Sequence, residues 1–358
     1  MKKGIVLLLI VFSMSIFGDE FTSEDIQKFK KICESAPLYE YGVVWVTDLC
    51  LDHEGSVYIL DANNKKIVKL SPELKFMKSF GKKGQGPGEF NSAYKLSADR
   101  SGNIYLVENM VKVIKFSGSG EFLKESRISG FTSVSFGKVI DYPVFIGKKF
   151  NKDFSYKLQI FNIEAKSILK EYKILESSNF AVKTNMGYLA PSIPFVGGHS
   201  FFETNGKYCI AGEGERFSVN LFDNKGNTIT SVKKEIEARK LKKEEKEFLI
   251  KKVMQMLPGK KDRKEVEKLV ENYKFKNFIH KLLLSENYFY VFPVPEDISI
   301  SDKFPVEIYN FKGELVRKSY FPKVPDKISE NYAFVIEKEE IEDEEVTKIV
   351  KYKIQIDN

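Results

Sequence analysis

Three cysteines, three histidines and one tryptophan are spread over 358 residues, and each scarcity closes off a class of function. Three thiols are too few for a disulfide scaffold, and their odd number allows at most one intramolecular bridge among Cys33, Cys50 and Cys209. No Cys-x-x-Cys pair and no His-Glu-x-x-His run occurs, so the spacings of common zinc sites are missing. A Gly-x-Ser-x-Gly elbow is missing too, and three histidines leave few bases for a hydrolytic nucleophile. Charge is nearly balanced, with 57 basic against 50 acidic residues and a formal net charge of +7; this calls for no nucleic-acid partner. Beyond the first 18 residues no apolar run approaches the ~20 residues that a helix needs to cross a bilayer.

Aromatic residues, by contrast, are plentiful. Thirty Phe and 17 Tyr in a chain that is 42% hydrophobic describe a globular protein with a large core. The start of the chain reads differently from the rest. Lys2 and Lys3 precede an apolar run from Ile5 to Phe12, continued to Phe17-Gly18, and polar residues begin at Asp19. This is the pattern of a secretory signal peptide over residues 1–18, with an uncleaved anchor as the rival reading. Cleavage after Ser15 and after Gly18 both fit. The mature chain is then expected outside the cytoplasm, periplasmic or extracellular, with no membrane span. Export permits a disulfide, of which Cys33–Cys50 is one pairing. Cys50 and Cys209 nevertheless lie in alternating apolar runs and read as small buried hydrophobes.

A repeat organises the remainder. Leu49-Cys-Leu-Asp-His-Glu-Gly-Ser-Val-Tyr-Ile-Leu-Asp61 aligns with Leu96-Ser-Ala-Asp-Arg-Ser-Gly-Asn-Ile-Tyr-Leu-Val-Glu108 at an offset of 47 residues. In each copy a strand ends at Asp, turns at Gly and re-enters an alternating strand through Tyr. A third strand (Lys66–Leu70, Val113–Phe116) and a fourth (Lys75–Phe80, Glu121–Glu125) follow. Four short strands joined by tight turns at this period mark one blade of a propeller. Fainter copies of the turn occur near residue 142, at Gly206, Asn287 and Asn331, so six blades of about 50 residues are expected. One segment breaks the pattern. In 236–273 Lys and Glu dominate, and Leu241, Phe248, Leu249, Val253, Met256 and Leu257 recur at helical spacing. Pro258-Gly259 interrupts that helix, and Asp262 with Glu265 suits the start of a second. The sequence therefore predicts an all-β fold, a six-bladed β-propeller over 41–358 with an inserted helical hairpin at 236–273. Residues 19–40 form a helical or extended lead-in.

Phe80-Gly-Lys-Lys-Gly-Gln-Gly-Pro-Gly-Glu-Phe90, followed by Asp99-Arg-Ser-Gly-Asn-Ile-Tyr105, resembles the NHL-repeat group of six-bladed propellers. Asp61-Ala-Asn-Asn64 with Lys66-Ile67 also fits the end of that repeat, although Lys stands where Arg is more usual and Glu108 replaces the usual Asp. With its signal peptide and helical insertion the chain looks most similar to exported bacterial propellers of unknown function, a resemblance that implies a fold and no established activity. The glycines require only a structural role in tight turns, and no helix follows the loop to cradle a phosphate.

Propellers bind with a face or a channel mouth, and the sequence favours a non-catalytic exported binding or scaffold protein that recognises a small ligand or a protein. The alternative is a metal-dependent hydrolase or lyase acting at the central channel; no cofactor is called for, and a divalent metal in the channel belongs to that alternative. Counting seven residues back from the recurring turn reaches Asp48, Lys95, His199 and His280 in blades 1, 2, 4 and 5. If the repeats stay in register, these four converge on the channel as a polar ring for an anionic ligand or a metal. Two further expectations concern architecture. Tyr41–Val46 should pair with the incomplete last blade to close the ring, and the hairpin's apolar stripe should pack on a face of the propeller. The Lys/Glu-rich helices and the acidic run 337–345 read as solvated surface, the latter as a hairpin tip.

Overall fold

The Asp-x-x-Gly-x-x-Tyr element that recurs at 47 residues is a closed hydrogen-bonded unit. Asp52 Oδ1 accepts the backbone N–H groups of Glu54 and Ser56, and Tyr58 donates its hydroxyl to Oδ2 at 3.0 Å. Asp99 does the same for Ser101, Asn103 and Tyr105, the last at 2.7 Å. Gly55 and Gly102 supply the positive φ that this turn demands (83° and 75°). The second-strand ends repeat equally literally. Asp61 accepts the N–H of Val44, and Glu108, one methylene longer, accepts that of Asn91, 47 residues on.

The computed structural model describes residues 28–354 except 109–110, 133, 151–155, 174–181, 185–186, 190–194, 197–199, 257–262, 300–302 and 342–343. The signal peptide expected at 1–18 therefore lies outside the described residues. Six four-stranded antiparallel sheets follow one another along the chain. Their innermost strands are Asp48–Leu51, Ala93–Ala98, Val134–Asp141, Ser200–Thr204, Ile279–Leu284 and Lys327–Ser329, and each blade then steps outward strand by strand. The molecule is an all-β, six-bladed propeller.

Six apolar clusters fill the six gaps between neighbouring blades. Tyr58, Leu60 and Ile67 of blade 1 pack against Leu96, Leu106 and Ile114 of blade 2. On the other face of blade 1, Val57, Ile59 and Val68 meet Phe334 and Ile349 of blade 6. Because side chains alternate between faces, a central strand such as Val57–Asp61 is buried on both and reads as a continuous apolar run. The aromatic abundance serves these seams, where Tyr58, Tyr105, Phe145, Phe161, Phe222, Phe289 and Tyr290 are all fully buried. Cys50 and Cys209 are buried among them, and all three cysteines are free thiols.

Ring closure differs from the sequence expectation in its segment. Tyr41–Val46 forms no strand: Leu38–Tyr41 is a 3-10 turn capped by Gly42. The outermost strand of blade 6 is instead Lys30–Glu34, paired antiparallel with Glu344–Lys353. Ser35 extends that pairing, its N–H donating to Ile349 O and its hydroxyl accepting from Ile349 N–H. The lead-in is thus part of the propeller, and Val43 behind it is a buried core residue rather than a strand partner.

The insertion comprises α1 (Lys243–Met256) and α2 (Arg263–Glu271), between the outer strand of blade 4 and the inner strand of blade 5. Leu249, Ile250 and Val253 of α1 and Val266, Leu269 and Val270 of α2 pack on Phe195, Val196, Val294 and Ile298, which are loop residues of blades 4 and 5. A backbone bridge between Lys240 and Phe275 closes the base of the hairpin. The Asp262 capping position falls outside the described residues. At the start of α1, Glu245 accepts the N–H of Lys242. Its other oxygen binds Lys276 at 2.7 Å and the N–H of Ile298, with the Glu245 side chain wholly buried.

Candidate functional site

Each innermost strand brings an ionisable side chain to the channel. In ring order they are Asp48, Lys95, Lys138, Glu203, Lys281 and Lys327. Opposite blades therefore carry like residues: carboxylates on blades 1 and 4, lysines on 2 and 5, and lysines on 3 and 6. Lys138, its side chain only 3% exposed, lies 3.4 Å from Asp48 Oδ2 and 3.1 Å from Glu203 Oε1. Lys327 holds the other Glu203 oxygen at 2.5 Å. Asp48 Oδ2 also accepts the N–H of Leu96, and Ser97 Oγ accepts that of Val139, so the same strands are tied blade to blade.

These contacts set the charge states. Burial alone would raise the pKa of Asp48 and Glu203, but Lys138 with its neighbouring lysines more than offsets it, and both carboxyls are held below their usual range. Lys138, flanked by two carboxylates, is held above the usual lysine range in spite of its burial. Burial and the adjacent Lys138 push Lys327 the other way, down to about 8. Enclosure in the channel, with Lys95 near, also lowers Lys281 although Asp326 is 3.7 Å away.

Of the four residues expected from the repeat count, Asp48 and Lys95 come together in the channel, 3.9 Å apart. His199 lies outside the described residues. His280 does not join the ring. It sits among Phe195, Phe292 and Phe304 with ring centroids 5.2–6.3 Å away, and its Nδ1 is buried with no hydrogen-bond partner among the described residues. Burial beside Lys281 lowers its pKa to about 4. The reason is turn length. Five residues lie between the last paired residues of the inner and second strands in blades 1 and 2, where Leu51 pairs Val57 and Ala98 pairs Ile104, but four in blade 5, where Leu284 pairs Phe289. A fixed count of seven therefore lands one residue early, and a one-residue slip turns the side chain to the other face. Lys281 holds the position equivalent to Asp48 and Lys95. Counting back from the last paired residue of each inner strand, rather than from the turn, would have found it. Glu203, Lys138 and Lys327 carried no motif signal.

Above the ring, the inner-strand ends open into a cleft of about 440 Å³. Leu51, Ser97, Glu203, Thr204 and Lys327 line it, with Arg100 at its rim. Blades 1, 2, 4, 5 and 6 all contribute to it. The helical hairpin lies on the opposite side, where one blade connects to the next. Among the described residues, no three His, Cys, Asp or Glu side chains gather as metal ligands would. Burial raises the Cys50 and Cys209 thiols far above the range of reactive cysteines.

Comparison with known proteins agrees with this architecture. Residues 44–187 match DUF5128, a family described as a 6-bladed beta-propeller. Two solved structures superpose along nearly the full chain. One, from Bacteroides fragilis NCTC 9343, is described as a "putative exported protein"; it shares 14% identity at a TM-score of 0.55 and covers 94% of this chain and 98% of its own. The other, a member of the duf4221 family from Bacteroides vulgatus, shares 11% identity at 0.52 and covers 92% and 98%. At such identities the likeness is one of fold alone. No curated protein matches the chain in sequence.

Proposed function

We propose that this propeller is an exported, non-catalytic binding protein that takes its ligand through the cleft at the channel mouth. The observation that carries this reading is the cleft itself. Five blades converge on it from separate repeats, and it opens over a charged ring, as a site with a few placed polar groups in a larger pocket requires. The ring carboxylates favour binding over chemistry, since Asp48 and Glu203 are each committed to lysines or backbone N–H groups and are held ionised. Neither has the raised pKa of a general acid. Export is supported by the basic-then-apolar start of the sequence and by the description of the Bacteroides fragilis protein.

The test is a thermal-shift survey of the mature protein with small anions, sugars, amino acids and short peptides, repeated on Thr204→Trp. Thr204 is half-buried at the end of the blade 4 inner strand and lines the cleft, so the indole would fill the space. At least one compound is expected to stabilise the native protein and to lose that effect in the variant. Turnover of an ester or lactone on addition of a divalent metal would replace this reading with the enzymatic one.

A further inference from the structure

The ring is not electrically even. Its two most buried carboxylates, Asp48 and Glu203, are spent on Lys138 and Lys327. Among the described residues Lys95 and Lys281 are left with long ion-pair contacts, 3.9 Å to Asp48 and 3.7 Å to Asp326. Asp326 in turn gives its other oxygen to the N–H of Ile336. Counting Asp326, four lysines face three carboxylates. Lys95 and Lys281 also keep open side chains, 36% and 29% exposed, while those of Lys138 and Lys327 are 3% and 11% exposed. They stand on blades 2 and 5, opposite one another across the channel. Lys95 immediately precedes Leu96, and Lys281 stands three residues before Leu284; both leucines line the cleft, on strands that run toward it.

Resting on the reading of the cleft as the ligand site, we propose that Lys95 and Lys281 form an anion clamp that receives the carboxylate or phosphate group of the ligand. Two ammonium groups that feel each other in a partly enclosed channel repel more strongly than in bulk solvent. An oxyanion placed between them removes that repulsion and gains a charge-assisted hydrogen bond on each side. The ring carboxylates draw no cation to the same place, because they are already paired with Lys138 and Lys327. The lowered pKa of Lys281 agrees with this, since enclosure and the nearby Lys95 outweigh the opposing pull of Asp326 and Glu203. The clamp therefore also predicts a pH response. The groups facing it are Lys138, Lys327, Asp48, Glu203 and Asp326, and of these Lys327 loses its proton near pH 8. Affinity for an anion should fall as pH rises from 7 to 9, because the channel lysines bind the anion in their charged forms.

Titration calorimetry with inorganic phosphate and with succinate, at an ionic strength fixed with sodium chloride, tests the clamp and tells phosphate from carboxylate. Saturable binding of at least one is expected, weakened tenfold or more in Lys95→Gln and Lys281→Gln. It should be restored in Lys95→Arg or Lys281→Arg and unchanged in Lys78→Gln on the outer strand of blade 1. Both targeted side chains are partly solvated, and the Arg variants keep the charge, so a folding failure in a Gln variant does not hide the answer. Absence of saturable binding by both anions, or an affinity in the Gln variants equal to that of the native protein, overturns the proposal. A neutral compound that binds the native protein and not Thr204→Trp, with neither anion binding, would defeat the clamp while leaving the cleft reading intact.

Discussion

Asp99 and His280 show how single buried groups carry this fold. Removing the Asp99 carboxylate strands two backbone N–H groups and the Tyr105 hydroxyl in a closed turn. Asp99→Ala should therefore cost about 2–4 kcal/mol, more than the ~1 kcal/mol expected of Tyr105→Phe, which deletes one donor and leaves the others paired. Urea unfolding of the two variants checks the order. His280 makes a prediction in pH. Its folded pKa, about 4, lies below the ordinary histidine value, so the unfolded chain binds a proton between pH 6.5 and 4 that the folded one refuses. Stability from this group is complete above about 6.5 and is lost as pH falls through that window, by up to roughly 3 kcal/mol. His280→Phe, placed among Phe195, Phe292 and Phe304, should flatten that acid limb in melting curves taken from pH 7 to 4. The same residue marks the limit of reading a site by counting. Asp48 and Lys95 were legible because their turns have the same length. His280 was mistaken for the channel residue because a turn shorter by one leaves no composition signal, and Lys281 beside it looks like any surface lysine until the register is known.

Strands and helices were legible in proportion to how much apolar surface they bury. The helical hairpin announced itself by a stripe at 3.6-residue spacing, and that stripe is what packs on Phe195, Val196, Val294 and Ile298. Lys30–Glu34 gave no such signal, because an outermost strand is paired along one edge and four of its five residues are exposed. Two experiments separate the hairpin's packing from its ion pair. Replacing 241–274 with a short Gly/Ser linker keeps the Lys240–Phe275 closure and uncovers the four apolar loop residues. The shortened protein should stay folded and bind a hydrophobic dye more strongly than the parent; unchanged dye binding would mean the stripe covers nothing there. Glu245→Ala leaves Lys276 charged, buried and without its carboxylate, and should cost about 3–5 kcal/mol in urea unfolding. A loss below 1 kcal/mol would show that Glu296 O, which Lys276 also reaches, satisfies it alone.

At the scale of the molecule the question is what keeps six similar sheets in a ring. Five seams join blades that are consecutive in the chain. The sixth, between blades 6 and 1, is built from both ends of it: Lys30–Glu34 pairs with Glu344–Lys353, and Leu38 and Val43 pack with Phe334 and Ile349. Closing this loop of more than 300 residues costs chain entropy that only cooperative burial at the seam offsets. Truncation through Ser35 should remove one edge strand and the two Ser35–Ile349 hydrogen bonds, lowering the melting temperature while leaving the other five blades assembled. Deletion of 349–358 goes further, because Ile349 and Val350 are buried in a strand that pairs on both sides, and it should abolish cooperative folding. Trp45, the single tryptophan, reports this seam directly: Lys338 of blade 6 lies 5.3 Å from its ring. In the native protein Trp45 fluorescence and far-ultraviolet circular dichroism should trace the same urea transition, as a closed ring unfolding in one step requires. After truncation through Ser35 the fluorescence transition should move to lower urea, and the dichroism with it. A fluorescence change that runs well ahead of the dichroism in the native protein would mean that the ring opens at blade 6 while its sheets persist, and that closure does not govern the stability of the whole.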